Sequence, residues 1–171
     1  MSERKDKVTM KGNALTLTGE EVKTGDKAPD FVAVGNDLSE VRLSDYQGKI
    51  VVVSSVPSLD TGVCDAETRR FNELASSMGD QVVILTISMD LPFAQQRWCA
   101  AAGVDRVVTV SDHRDADFGT SYGVLIQELR LLARAVFVVD PEGVVQYQQL
   151  VSEVTNEPDY EEVLQAVEKI S

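Results

Sequence analysis

Two runs of β-branched residues, Ile50–Val56 and Val82–Ile87, constrain this chain more than any other feature. Each is a short continuous apolar stretch of the kind found in strands buried on both faces of a sheet. Between them, Cys64–Met78 brings Phe71, Leu74 and Met78 to one side of a helix. Strand, helix and strand in that order predict a parallel pair joined by a right-handed crossover, hence an α/β fold with its sheet covered on both faces. Asp90-Leu91-Pro92 then supplies a helix start with proline in the first turn, and Gly103 a stop after Ala102. A third strand is expected at Val107–Val110 and a short helix at Asp115–Tyr122. Arg134–Asp140 and Val144–Leu150 flank Pro141-Glu142-Gly143 and read as a hairpin. Asp159–Ile170 reads as an amphipathic helix with Val163, Val167 and Ile170 inward. At the other end, Lys7–Met10 and Ala14–Thr18 alternate around Lys11-Gly12-Asn13, which predicts a β-hairpin over about 7–18. A turn-rich stretch from Thr24 to Asp30 leads to a short strand at Phe31–Val34.

With 171 residues, 43% hydrophobic and 26% charged, the chain suits one folded domain over 1–171 and not a disordered one. Its net charge of -12, from 16 basic against 28 acidic residues, would repel phosphate backbones and anionic lipid. Neither nucleic acid nor membrane is therefore an expected partner. Met1–Val8 lacks the apolar core of a secretory signal, and no apolar run is long enough to span a bilayer, so a cytoplasmic protein is expected. In that compartment two cysteines are expected to form at most a transient disulfide. Cys64, Cys99 and the single His113 are one ligand short of a closed zinc site, so no metal or cofactor is expected.

Sites in open α/β sheets gather beyond the carboxyl ends of the strands. The first long strand runs into Pro57-Ser58-Leu59-Asp60-Thr61-Gly62-Val63-Cys64, which puts Cys64 in the opening turn of the following helix. Unpaired N–H groups and the helix dipole favour a thiolate there. Asp65 and Glu67 oppose that charge, so a cation must approach. Arg69 and Arg70 are near in sequence, and Arg134 is the distant candidate. Each residue also has a plainer reading. Cys64 suits a small buried apolar position, Thr61 a helix N-cap, Pro57 a strand terminator, and Cys99 a helix interior among Ala100, Ala101 and Ala102. A cysteine hydrolase would need a histidine base, and His113 sits in an Asp112-His113-Arg114 segment expected to be an exposed loop. A dithiol oxidoreductase would need C-x-x-C, and Thr61 stands where its first cysteine would be.

Taken together, Pro57, Thr61 and Cys64 fit P-x-x-x-T-x-x-C, which resembles the active-site signature of the peroxiredoxins. The lead-in from Gly25 to Phe31 is similar to that family's entry segment. Pro57–Cys64, Asp90–Gln95, Leu132–Ala135, Glu157–Tyr160 and the N-terminal hairpin narrow the resemblance to the bacterial thiol peroxidase subfamily, an atypical 2-Cys branch, over nearly the whole chain. The resemblance implies a thioredoxin-like fold: a central mixed sheet flanked by helices, with an extra N-terminal hairpin. It implies a peroxidase acting on hydrogen peroxide and alkyl hydroperoxides. By it, Cys64 is the peroxidatic residue and passes through a sulfenic acid. Thr61 would hydrogen-bond peroxide and thiolate, Arg134 would supply the cation, and Pro57 would shape the pocket. Cys99 would resolve the sulfenic acid into an intrachain disulfide that thioredoxin reduces, in a homodimer. Trp98, the only tryptophan, stands where a phenylalanine is expected beside that second cysteine. The non-enzymatic alternative is a peroxide sensor or holdase using the same oxidation.

The implied pairing makes a demand on geometry. Cys99 lies seven residues beyond Pro92, roughly 10 Å along its helix, whereas Cys64 opens its own. A disulfide needs Cα atoms within about 7 Å. Local unwinding around one or both cysteines is therefore expected during turnover. The closed loop of about 36 residues would contribute roughly 4 kcal/mol, enough to offset a melted turn or two.

Overall fold

The computed structural model describes residues 2–171. A seven-stranded mixed sheet forms its centre. Its middle strands are β5 (Ile50–Ser55), β6 (Val82–Ser88) and β7 (Val108–Ser111), all parallel to one another. On one side β10 (Ala135–Val139) pairs antiparallel with β5, and β11 (Val145–Leu150) with β10. On the other, β3 (Val32–Val34) pairs antiparallel with both β7 and β4 (Glu40–Arg42). The helices are α1 (Gly62–Met78), α2 (Pro92–Ala102), α3 (Asp117–Ser121) and α4 (Tyr160–Ile170), with a 3-10 turn at Leu43–Tyr46.

Period-two alternation sends each central strand into two cores at once. Ile50 and Val52 face one side of β5, with Phe71 and Ala75 of α1 and Val163 and Val167 of α4. Val51 and Val53 face the other, with Phe31, Phe118, Tyr122 and Phe137. All six residues of β5 are buried, which accounts for the apolar run Ile50–Val53, and the buried hydroxyls of Ser54 and Ser55 are bonded to Glu67 and the Ala133 carbonyl. Burying a side chain of this size contributes about 1.5–3 kcal/mol, so a charge at Val52 or Val53 would undo the sheet.

The N-terminal hairpin is β1 (Glu3–Met10) with β2 (Asn13–Thr18), turning at Lys11 and Gly12, both of which have positive φ. The first strand begins earlier than its alternation suggests, because a register shift between Lys5 and Val8 breaks the pattern. This hairpin is half of a second, antiparallel sheet, completed by β8 (Leu125–Ile126) and β9 (Leu131–Leu132). On α1 the inward face is Cys64, Glu67, Thr68, Phe71 and Ala75. Leu74, expected inward, is only half-buried, because the face rotates toward the smaller Ala75. The end of the chain follows expectation: Asp159 caps α4 by accepting from the Glu162 amide, and Val163 and Val167 are buried.

Candidate active site

The helix carrying Cys64 starts because Thr61 is extended and its Oγ1 accepts from the Cys64 amide at 3.2 Å. Thr61 also donates through its hydroxyl to the Ser58 carbonyl at 3.2 Å. The preceding Pro57 is buried at the carboxyl end of β5. Cys64 is fully buried, packed with Val56, Leu59 and Trp98.

The cation that approaches is the distant one. Arg134 enters from the residue before β10, and its Nη2 donates to Cys64 Sγ at 3.1 Å. Its Nη1 meets Glu67 Oε2 at 2.6 Å, and Nε and Nη2 both donate to the Val154 carbonyl, at 3.0 and 2.9 Å. Only 1% of this arginine side chain is exposed, so a guanidinium with every edge occupied has one orientation available. Burial works against its charge, yet Glu67 and Cys64 outweigh burial and hold the proton more firmly than on a free arginine. Burial pushes the Glu67 carboxyl up to about 7, although Arg134 and Ser54 both bond to it. The local candidates serve elsewhere. Arg69 pairs with Asp65 at 2.8 Å and lies over the Trp98 ring, while Arg70 pairs with Glu73 and lies over Tyr160.

Cys99 is set differently. It is half-buried on α2, with Sγ 3.4 Å from Thr109 Oγ1, which in turn donates to Asn36 Oδ1 at 3.3 Å. It lines an open groove of about 360 Å³ together with Val41, Val104 and Val107. Both cysteines are free thiols. Their chain neighbours nevertheless touch: Trp98 Nε1 donates to Asp65 Oδ1 at 2.9 Å, and Arg69 Nη1 donates to the Ala102 carbonyl at 3.2 Å.

A buried cysteine at a helix start, clasped by a buried arginine beyond the carboxyl end of the central strand β5, is a setting that favours a thiolate. The redoxin family model matches residues 23–164. The chain is 61% identical to a thiol peroxidase of Oceanobacillus iheyensis over 162 residues, covering 95% of this chain and 98% of that one. It is 56% identical to the thiol peroxidase of Bacillus subtilis over 163 residues, covering 95% and 97%. The chain belongs to the redoxin family, among its thiol peroxidases. A solved peroxiredoxin-like protein from Aquifex aeolicus superposes with a TM-score of 0.90 at 46% identity over 96% of both chains. A thiol peroxidase from Chromobacterium violaceum superposes at 0.85 with 20% identity over 95% of both, a likeness of fold. The thioredoxin-like architecture and the enzyme class, a thiol-dependent peroxidase, follow from this membership.

Two parts of this redoxin site lie beyond what spacing revealed. Glu67, which reads in sequence as a charge opposing a thiolate, is the partner that fixes the guanidinium. Its place three residues after Cys64, on the same helix face, was the available signal. The second is Val154, whose carbonyl takes two bonds from Arg134 and whose amide donates to the Thr9 carbonyl of β1 at 2.9 Å. The Glu153 carboxylate also accepts from Thr9 Oγ1 and the Gly12 amide. The hairpin thus reaches the site through residues 153 and 154, a link that no local pattern carries. Among the described residues no helix is long and apolar enough to cross a membrane.

Proposed function

We propose that the chain reduces hydrogen peroxide and alkyl hydroperoxides through Cys64, resolves the product with Cys99, and is recycled by thioredoxin. The observation that carries this reading is the Arg134 Nη2 contact with Cys64 Sγ at 3.1 Å. A charge-assisted donor on sulfur stabilises the thiolate, which is the nucleophile. The thiolate attacks the terminal peroxide oxygen and the O–O bond breaks. Water or an alcohol leaves after taking up a proton, and Cys64 becomes a sulfenic acid. Thr61, its single hydroxyl proton turned from the Ser58 carbonyl to the substrate, and Arg134 donate to the reacting oxygens, where charge develops in the transition state, and Pro57 keeps the pocket closed to bulk water. Cys99 sulfur then attacks the sulfenic sulfur, a second water leaves, and an intrachain disulfide forms. Thioredoxin dithiol supplies the two electrons that restore both thiols.

Cys99 reaches Cys64 only after rearrangement. The two sulfurs face different surroundings, Arg134 for one and Thr109 for the other. The Trp98–Asp65 bond joins their helices in the reduced form and must break. Leu91 and Phe93, 53% and 63% exposed at the start of α2, are apolar enough to serve a homodimer interface. Phe93→Glu should then convert a sedimenting dimer to a monomer. Within a reducing cytoplasm the disulfide is a catalytic intermediate and not a permanent bridge.

Turnover with thioredoxin, thioredoxin reductase and NADPH tests the proposal. Sustained NADPH oxidation dependent on Cys64 is expected. A single stoichiometric burst in the wild-type protein would instead mark a sensor or holdase, and peroxide consumption by Cys64→Ser would refute the role of that cysteine.

A further inference from the structure

We propose that Asp90 is a positioning residue for peroxide reduction, holding the Ser58–Thr61 loop in the shape that aims the Thr61 hydroxyl; this rests on the peroxidase reading above. Asp90 stands between β6 and α2 and makes no hydrogen bond to either cysteine. Its Oδ1 accepts from Ser58 Oγ at 2.7 Å, and its Oδ2 from the Leu59 amide at 2.8 Å and from Ser88 Oγ at 2.7 Å. Ser58 passes the constraint on. Its Oγ accepts from the Asp60 amide at 3.1 Å, and its carbonyl accepts both the amide and the hydroxyl of Thr61, each at 3.2 Å. Thr61 in turn accepts from the Cys64 amide.

The carboxylate has a rigid base. Ser88, Gln95 and Ser111 are buried behind it. Gln95 Nε2 donates to Ser88 Oγ and to the Val110 carbonyl, both at 2.9 Å, and Ser111 Oγ donates to the Asp90 carbonyl. A loop whose Ser58 hydroxyl and Leu59 amide converge on one carboxyl group, itself fixed to the ends of two parallel strands, has little freedom to drift. Small displacements of a group that grips a reacting oxygen cost large factors in rate.

The sulfur is held by a separate route, through Arg134, Glu67 and Val154, none of which bonds to Asp90. That separation permits a decisive comparison of two reactions of Cys64. Alkylation by iodoacetamide depends on the thiolate, which the Arg134 donor supports, and offers no peroxide oxygens for Thr61 to grip, whereas peroxide reduction depends on both. In Asp90→Asn and Ser58→Ala the second-order rate with hydrogen peroxide should fall about tenfold, while the alkylation rate changes less than about threefold. Asp90→Ala, where it folds, should fall further, with Asp90→Asn between it and wild type. A parallel fall in both rates, or no fall in the peroxide rate, overturns the proposal. The wild-type protein is assayed first, and peroxide consumption there separates failure of this inference from failure of the peroxidase reading.

Discussion

Cys64 and Cys99 are both helix residues, yet their surroundings have little in common. Cys64 has no exposed surface and meets a buried guanidinium whose remaining edges are bonded to Glu67 and Val154. Cys99 is half-buried beside a neutral hydroxyl, in an open groove. The helices differ in the same way. The start of α1 is fastened by Thr61 and by the arginine cluster. On α2, Pro92 and Gln95 are buried near its start, whereas Gln96, Arg97, Ala100 and Ala101 around Cys99 are exposed. One region is built to hold a charge in place. The other leaves Gln96, Arg97, Ala100 and Ala101 in solvent and keeps Trp98 and Ala102 of its distal half packed on the core, a thinner attachment of the kind that marks lower local stability.

Removing Cys99 should separate the two regions most sharply. Cys99→Ser is expected to keep one stoichiometric reaction with peroxide and lose thioredoxin-coupled turnover, measured by stopped flow and by NADPH consumption. Full turnover in this variant would show that the second region has no part in the cycle. Next in size is Arg134→Met, which removes the donor on sulfur while keeping the stem. The rate with peroxide should drop by about a hundredfold or more, and a change within a factor of about two would detach the arginine from the chemistry.

The buried carboxyl gives a pH signature confined to the Cys64 region. Glu67 is raised by burial to about 7 in the folded chain from 4.5 in its ordinary state. Between those values the folded chain keeps a proton that the unfolded chain has lost, so this group's contribution to stability is present at low pH and declines as pH rises toward 7. Relative to Glu67→Gln, the wild-type melting temperature should therefore fall across that window, and a flat difference would contradict the buried pair described here. The smallest effect concerns the contact between the regions. Asp65→Asn weakens the bond from Trp98 Nε1, and should speed disulfide formation by about threefold to tenfold without slowing the first reaction with peroxide. Slower disulfide formation would mean that the contact guides Cys99 instead of restraining it.

Much of the fold was legible because its central strands are long and buried on both faces. The runs at Ile50–Val56 and Val82–Ile87 lie within one residue of β5 and β6, and proline and glycine delimited α2 at Pro92 and Gly103. The strands β8 and β9 were not, since two-residue strands have no period to detect and owe their pairing to the hairpin beside them. Strand β4, at a sheet edge with Glu40 and Arg42 exposed, carries no apolar signal. At the site, Pro57, Thr61 and Cys64 follow one another in the chain and form a readable motif. Arg134 was reachable through family resemblance, whereas the roles of Glu67 and Val154 depend on where a guanidinium 67 residues from one and 20 from the other comes to rest. The direction of the Cys99 side chain was hidden for a simpler reason: a cysteine among alanines has no amphipathic pattern to orient it.

The most direct test of the account is the product of one equivalent of hydrogen peroxide, read by intact mass and peptide mapping of the wild-type chain. The expected product has lost two hydrogens, retains no free thiol, yields a peptide linking Cys64 to Cys99, and forms with a change in Trp98 fluorescence. A product that gains oxygen on Cys64 while Cys99 stays free, or one that links two chains, would contradict it.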